Sequence, residues 1–230
     1  MKKIGIIGGI GPEATIIYYR ELITKLNNNL SKDPYSTLII ESICMSQMFN
    51  FINNNDMNGL TKMINKSINN LEKGGAQVIA IASNTPHIVF ERLSKLDRTH
   101  LINIVDETCK YISSKGFKNI GLIGTRSTME SGIYQKLEKK YNLNIVIPDA
   151  IDRTLIDQLY LNEIVKNNLN SETKQIIIQL INKLIISHKI EGLILGGTEL
   201  SLLLKQDDFS NITLFDSTKI HIDSITKYSL

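Results

Sequence analysis

The stretch KKIGIIGGIGPEAT, Lys2 to Thr15, decides the reading of this chain because it comes twice. KNIGLIGTRST, Lys118 to Thr128, repeats its sense: a basic start, a short apolar run, a glycine turn, then a helix. Two further landmarks repeat in the same order. IAIASNTPH (Ile79–His87) is echoed by LILGGTEL, ending at Leu200, and Val105-Asp106-Glu107-Thr108 by Phe215-Asp216-Ser217-Thr218. The offsets are 116 residues from Ile4 to Ile120, 114 from Ser83 to Gly197 and 110 from Asp106 to Asp216. A drift of a few residues is what loops absorb. Apolar runs alternating with helical patterns predict βα units on parallel sheets. The expected fold is therefore α/β, with two pseudo-symmetric Rossmann-like lobes and a site in the cleft between them. The first lobe is expected over 1–100, joined by 210–230, and the second over 101–209. One continuous doubly wound sheet is the competing reading.

Around those landmarks the elements follow in turn. Lys3 to Ile7 reads as a buried strand and Pro12 to Leu26 as a helix, with Pro12 in its first turn and Glu13 near its positive end. Asn27 to Lys32 is a loop, Ser36 to Ser42 a strand, and SICMSQM, with Cys44, a loop. Leu60, Met63, Ile64, Ile68 and Leu71 recur at helical spacing over Met57 to Lys73, and Gly74-Gly75 ends that helix. Val78 to Ala82 is a strand, with a helix from SNTPH to about Leu96. Ile102 to Val105 is a strand before an Asp106 N-cap and a helix through Ile112. In the second half, Asn144 to Ile147, Glu191 to Leu195 and Thr213 to Phe215 read as strands, and Ser171 to His188 as a helix capped by Ser171. The helix from Asp216 is expected to pack back on the first lobe.

Composition sets bounds. The chain has 230 residues, 42 % hydrophobic and 21 % charged, so a sizeable core is within reach. A formal net charge of +3, scattered along the chain, argues against a nucleic-acid or membrane-surface partner. No apolar run approaches the ~18 residues of a membrane helix. MKKIGIIGGIGPE imitates a signal peptide, but its glycines, Pro12 and Glu13 cut the apolar run short. Cys44 and Cys109 form no CxxC pair, which argues against zinc and favours a reduced, cytoplasmic chain.

Candidate chemistry gathers at strand ends that open onto helices, where free backbone N–H groups meet ligands. GGIGP has neither GxGxxG spacing nor GK[ST], so its glycines serve either tight turning or anion binding. Asn84-Thr85-Pro86 serves either capping or carboxylate binding. Ser83 and His87 stand four apart, but no Asp orients the His and the GxSxG elbow is absent; packing or capping is the plainer reading of His87. His221 reads as a buried or half-buried helix residue. Lys166, in LYLNEIVKNNL, is either a solvated helix lysine or a point charge for a carboxylate. Arg126 is the other cation near a strand end.

Taken together, KKIGIIGGIGPEATIIYYREL, SNTPH, GTRSTMESGIY, GLILGGTEL and LFDSTKIHIDSI resemble the aspartate/glutamate racemase family, over the whole length of the chain. The resemblance implies two α/β lobes and racemisation of an acidic amino acid without pyridoxal phosphate, metal or other cofactor. It implies one thiol on each face of the substrate Cα. The family's Cys-Asn-Thr-x-His and Gly-Cys-Thr-Glu here read SNTPH and GGTEL, so the two catalytic positions are Ser83 and Gly197. A serine hydroxyl is a far weaker acid than a thiol, and glycine has no side chain. Activity is therefore expected to be impaired. By the same resemblance Asn84, Thr85 and Thr198 hold the α-carboxylate, Gly8, Gly9 and Thr125 line the opening, Lys166 meets the side-chain carboxylate, Glu199 belongs to the substrate site, and the protein is a homodimer. Three accounts are open: a homologue that keeps ligand binding without catalysis, an engineered inactive variant, or a different reaction run by Ser83 and water.

Overall fold

The computed structural model describes residues 1–29, 38–94 and 100–230. The expected beginnings and ends at Leu30 to Lys32, Ser36-Thr37 and Lys95-Leu96 lie outside the described residues. The chain divides into two compact units, residues 1–104 with 221–230, and residues 105–220. The strands and helices, in order, are β1 (Ile4–Gly8), α1 (Pro12–Asn29), β2 (Leu38–Ser42), α2 (Met45–Asn53), α3 (Met57–Lys73), β3 (Val78–Ile81), α4 (Phe90–Ser94), β4 (His100–Ile102), α5 (Ile104–Ser114), β5 (Asn119–Ile123), α6 (Arg126–Glu130), α7 (Glu138–Tyr141), β6 (Asn144–Val146), α8 (Ala150–Asn162), α9 (Ser171–His188), β7 (Gly192–Leu195), α10 (Leu200–Leu203), β8 (Thr213–Asp216) and α11 (Ser217–Ser229).

Each unit holds one four-stranded, all-parallel sheet, ordered β2-β1-β3-β4 in the first and β6-β5-β7-β8 in the second. The two orders are the same once the repeat is taken into account. Parallel sheets covered by crossover helices need strands that are apolar on both faces, and VIAI and GLIL are buried at every residue. Gly5 and Gly121 hold equivalent places in the repeat, and each lets a helix approach its strand. A Cβ on Gly5 would lie 3.1 Å from Leu71 of α3, and one on Gly121 3.0 Å from Leu184 of α9.

In the first unit, one core joins Ile4, Ile6, Tyr18, Leu22 and Leu26 to Ile222 and Ile225, so α11 packs back on the first sheet, as the repeat leads one to expect. The other core sets Ile7, Ile79 and Ile81 against Leu60, Ile64 and Ile68 of α3.

Several local expectations change. Asp106 does not cap α5: that helix starts at Ile104, placing Asp106 in its first turn, and β4 ends at Ile102. Apolar Ile104 and Val105 are buried helix residues there, which periodicity over so short a run cannot tell from a strand. The cap of α9 is Asn170 rather than Ser171, its side chain accepting from the Thr173 N–H at 2.8 Å. SNTPH opens a 3₁₀ turn, Thr85–Val89, before the short α4. Cys44 sits not in a loop but at the N-cap of α2, a helix the sequence reading lacked. Among the described residues no helix is long and apolar enough to cross a membrane.

Candidate functional site

In the first unit the strand order turns between β1 and β3, with β2 beyond one and β4 beyond the other. The carboxyl ends of strands at such a reversal are where α/β sheets gather ligand groups. Gly8 ends β1 and Gly9 follows it, and Ser83-Asn84-Thr85 follow β3. The two ends are tied by the Ala82 N–H donating to the Ile7 carbonyl at 2.9 Å. Gly9 has a left-handed φ of +79°, and a Cβ there would meet the Ser42 hydroxyl oxygen at 2.4 Å, so only glycine turns the chain here. Its N–H donates to the Thr15 hydroxyl at 2.9 Å. That bond favours the tight-turn role over an anion site at Gly9. Ser83, Asn84 and Thr85 are all buried. Asn84 stands at the start of the 3₁₀ turn but makes no capping bond with its side chain, and Pro86 takes the first turn.

His87 is bound to Ser83, though not through the hydroxyl. Its Nδ1 lies 2.9 Å from the Ser83 carbonyl, which can only accept, so Nδ1 carries the proton. Nε2 then accepts from the Ile104 N–H at 3.4 Å. Both ring nitrogens serve the backbone, and neither is left to take a proton from Ser83. Burial pushes the imidazole down to about 4. A serine–histidine nucleophile is thus excluded by geometry. A second buried histidine lies beside it, with ring centroids 6.4 Å apart. His221 Nε2–H donates to the Ile102 carbonyl at 3.2 Å, and Nδ1 accepts from the Tyr18 hydroxyl at 2.7 Å. Burial, then the neighbouring His87, push it down to about 3.

The second unit repeats the plan. The Gly196 N–H donates to the Ile123 carbonyl at 2.7 Å, matching the bond from Ala82 to Ile7. Thr125 follows β5 and caps α6, its hydroxyl accepting from the Thr128 N–H at 3.1 Å. Gly197, Thr198 and Glu199 follow β7. Glu199 has no exposed surface, and its Oε2 accepts from the Thr198 hydroxyl at 2.8 Å and from the Tyr160 hydroxyl. Burial first, then the Glu199 carboxylate, raise the Tyr160 phenol well above its usual range, so it keeps its proton. Tyr160 also decides what position 197 can be. A Cβ on Gly197 would lie 2.5 Å from Cε2 of that ring and 2.9 Å from its hydroxyl oxygen.

Lys166 ends a short 3₁₀ turn, Ile164–Lys166, with its side chain exposed. The structure thus groups Gly8, Gly9, Ser83, Asn84 and Thr85 at one reversal, and Thr125, Gly197, Thr198 and Glu199 at the other. Tyr160 was missed because LYLNEI reads only as a helix, and nothing in its spacing says which strand end its ring meets. Cys44 and Cys109 are free thiols outside both turns. Among the described residues no group of three or more His, Cys, Asp or Glu is placed to hold a metal ion.

Two parallel α/β units of one strand order, with buried hydroxyl groups at both reversals, define a two-unit α/β class. The chain belongs to the Asp/Glu/Hydantoin racemase family, whose model matches residues 7–225. It is similar to the crystal structure of a putative Asp/Glu racemase from Yersinia pestis, at 29 % identity and a TM-score of 0.88, covering 100 % of this chain and 99 % of that one. An aspartate racemase homologue from Pyrococcus horikoshii OT3 matches at 35 % identity and a TM-score of 0.83, with 100 % and 99 % covered. The broad specificity amino-acid racemase RacX of Bacillus subtilis (strain 168) is 30 % identical over 151 residues, 64 % of this chain. That match spans 64 % of the RacX length, just under two thirds.

Proposed function

We propose that this protein is a cofactor-independent racemase-family enzyme whose ligand is an acidic amino acid, aspartate or glutamate, and that its racemisation is impaired for want of proton carriers. Ser83 and Gly197 hold the positions at which the family resemblance puts the two cysteines. Cα proton transfer needs a base on one face and an acid on the other. Ser83 has no base, because His87 is bound at both nitrogens by backbone groups. Gly197 has no side chain, and the Tyr160 ring stands where one would start. This last contact is the observation that carries the reading. It makes glycine at 197 part of a fitted pair, not an isolated loss.

The carboxylate-holding role is assigned to the backbone N–H groups at the turns after β3 and β7, with Asn84 and Thr85. Backbone donors are indifferent to the change from thiol to hydroxyl or hydrogen. Thr198 contributes through its N–H, because its hydroxyl proton is given to Glu199. The exposed Lys166 is assigned to the side-chain carboxylate as a point charge. A homodimer completes the reading, from the family resemblance, and the free thiols Cys44 and Cys109 are read as those of a reduced, cytoplasmic chain.

The test pairs binding with exchange. The protein is titrated calorimetrically with each enantiomer of aspartate and glutamate, then incubated with them in D₂O while NMR follows the Cα proton. Measurable binding with exchange at least ~10²-fold below that of a thiol-bearing relative supports the proposal. Exchange at the relative's rate refutes the impairment, and no binding of any of the four refutes the ligand class.

A further inference from the structure

A cavity of about 440 Å³ lies in the first unit, walled by β2, α2 and α3. That volume is within the range of small-molecule sites. No residue of the turns after β3 and β7 lines it. Ile43 and Met63 give it apolar surface, and Lys62 and Lys66 give it two ammonium groups. The lysines are four apart on α3 and so share one face. Both are exposed, and neither has an ion-pair partner among the described residues. The acidic wall residue, Glu41, accepts from the Asn70 side-chain amide at 2.9 Å. Ser67 is 3 % exposed and lines the cavity.

The same wall carries an exposed thiol. Cys44 Sγ lies 3.1 Å from the Ser46 hydroxyl, at the N-terminus of α2. The Ser46 hydroxyl and then the Gln47 N–H lower its pKa, which raises the thiolate fraction. Cys109 is the contrast: buried, and pushed up to about 12.

We propose that this cavity takes an anionic low-molecular-weight thiol, which Cys44 holds as a mixed disulfide. The Cys44 thiolate attacks one sulfur of the small symmetrical disulfide. One S–S bond forms and one breaks, and the other half leaves as a thiolate that takes a proton from water. The small disulfide is the oxidant, and no other is consumed. Lys62 and Lys66 face the carboxylates, Ile43 and Met63 the carbon chain, and Ser67 offers its hydroxyl.

The whole protein is incubated with oxidised glutathione, an anionic disulfide, and separately with cystamine, a cationic one. Intact-mass spectrometry follows the adducts, and 2-mercaptoethanol serves as a neutral reference thiol. The expected ratio of the glutathione rate to the cystamine rate is roughly fivefold higher for the protein than for the reference, at two- to threefold per surface ammonium. Lys62→Gln with Lys66→Gln, both exposed and safe for folding, returns the ratio to the reference value. Cys44→Ser abolishes the adduct. A wild-type ratio equal to the reference, a raised ratio that survives both lysine changes, or an adduct on Cys109 overturns the proposal.

Discussion

Placing a cysteine at position 197 tests the fitted pair on which the functional reading turns. Gly197 has no left-handed φ, so the backbone itself accepts a side chain. The obstacle is Tyr160, whose ring would stand 2.5 Å and 2.8 Å from the new Cβ, closer than real Cβ atoms come. The ring is 5 % exposed and its hydroxyl is bound to Glu199, so it cannot simply swing out. Overpacking of a core costs ~1–3 kcal/mol. Loss of a hydrogen bond to a charged group adds ~1.5–3 kcal/mol if the ring turns away. Gly197→Cys is therefore expected to destabilise by about 2.5–6 kcal/mol when both apply. Tyr160→Leu alone leaves a gap and removes a donor from Glu199, at a further ~2–4 kcal/mol. Combined, the thiol occupies part of the vacated space. The double variant should then lose less than the sum of the two, by about 1–3 kcal/mol. Urea unfolding of the four proteins, followed by circular dichroism, measures this. Additivity within ~0.5 kcal/mol would refute the claim that the ring and residue 197 compete for one space.

Other expected outcomes follow from the same contacts. His87 and His221 are buried as neutral rings, so protonation favours the unfolded chain. Their contribution is full above about pH 6.5 and is lost as the pH falls from there to the folded values of about 4 and about 3, at ~1.4 kcal/mol for each pH unit crossed. His221→Gln should flatten the acid limb of a plot of stability against pH, and an unchanged limb would contradict it. Asn170→Ala removes the cap of α9 and should cost about 1 kcal/mol in thermal unfolding, whereas Ser171→Ala should cost little. Gly5→Ala and Gly121→Ala each push a helix off its strand and should each cost ~1–3 kcal/mol, with similar losses in the two units.

The repeat made most of the fold legible. Strands buried on both faces are written as short apolar runs, so β1, β3 and β7 could be placed within a residue or two. Met57–Lys73 and Ser171–His188 could be bounded to the residue, because long periodic helices with clear ends carry the strongest local signal. What the chain hid was set by tertiary contact. Ile104 and Val105 look like a strand until α5 is seen to start at Ile104. The reversal points were legible as strand ends with small residues. The partners there were not: Tyr160 meets Gly197 from 37 residues earlier in the chain, and His87 accepts from Ile104 across 17. Ser83 and Gly197 stood out only against the family pattern, since neither residue is unusual at a strand end.

Exchange of the substrate Cα proton in a repaired variant tests the central claim most directly. Ser83→Cys, Gly197→Cys and Tyr160→Leu together supply two thiols and the room for the second. In D₂O with L-aspartate or L-glutamate, and no added cofactor, the folded triple variant should exchange the Cα proton at least ~10²-fold faster than the wild-type chain and yield both enantiomers. Ser83→Cys alone should stay slow, since the opposite face still lacks a proton donor. A folded triple variant that binds the amino acid yet exchanges no faster than wild type would contradict the assignment of positions 83 and 197 to proton transfer.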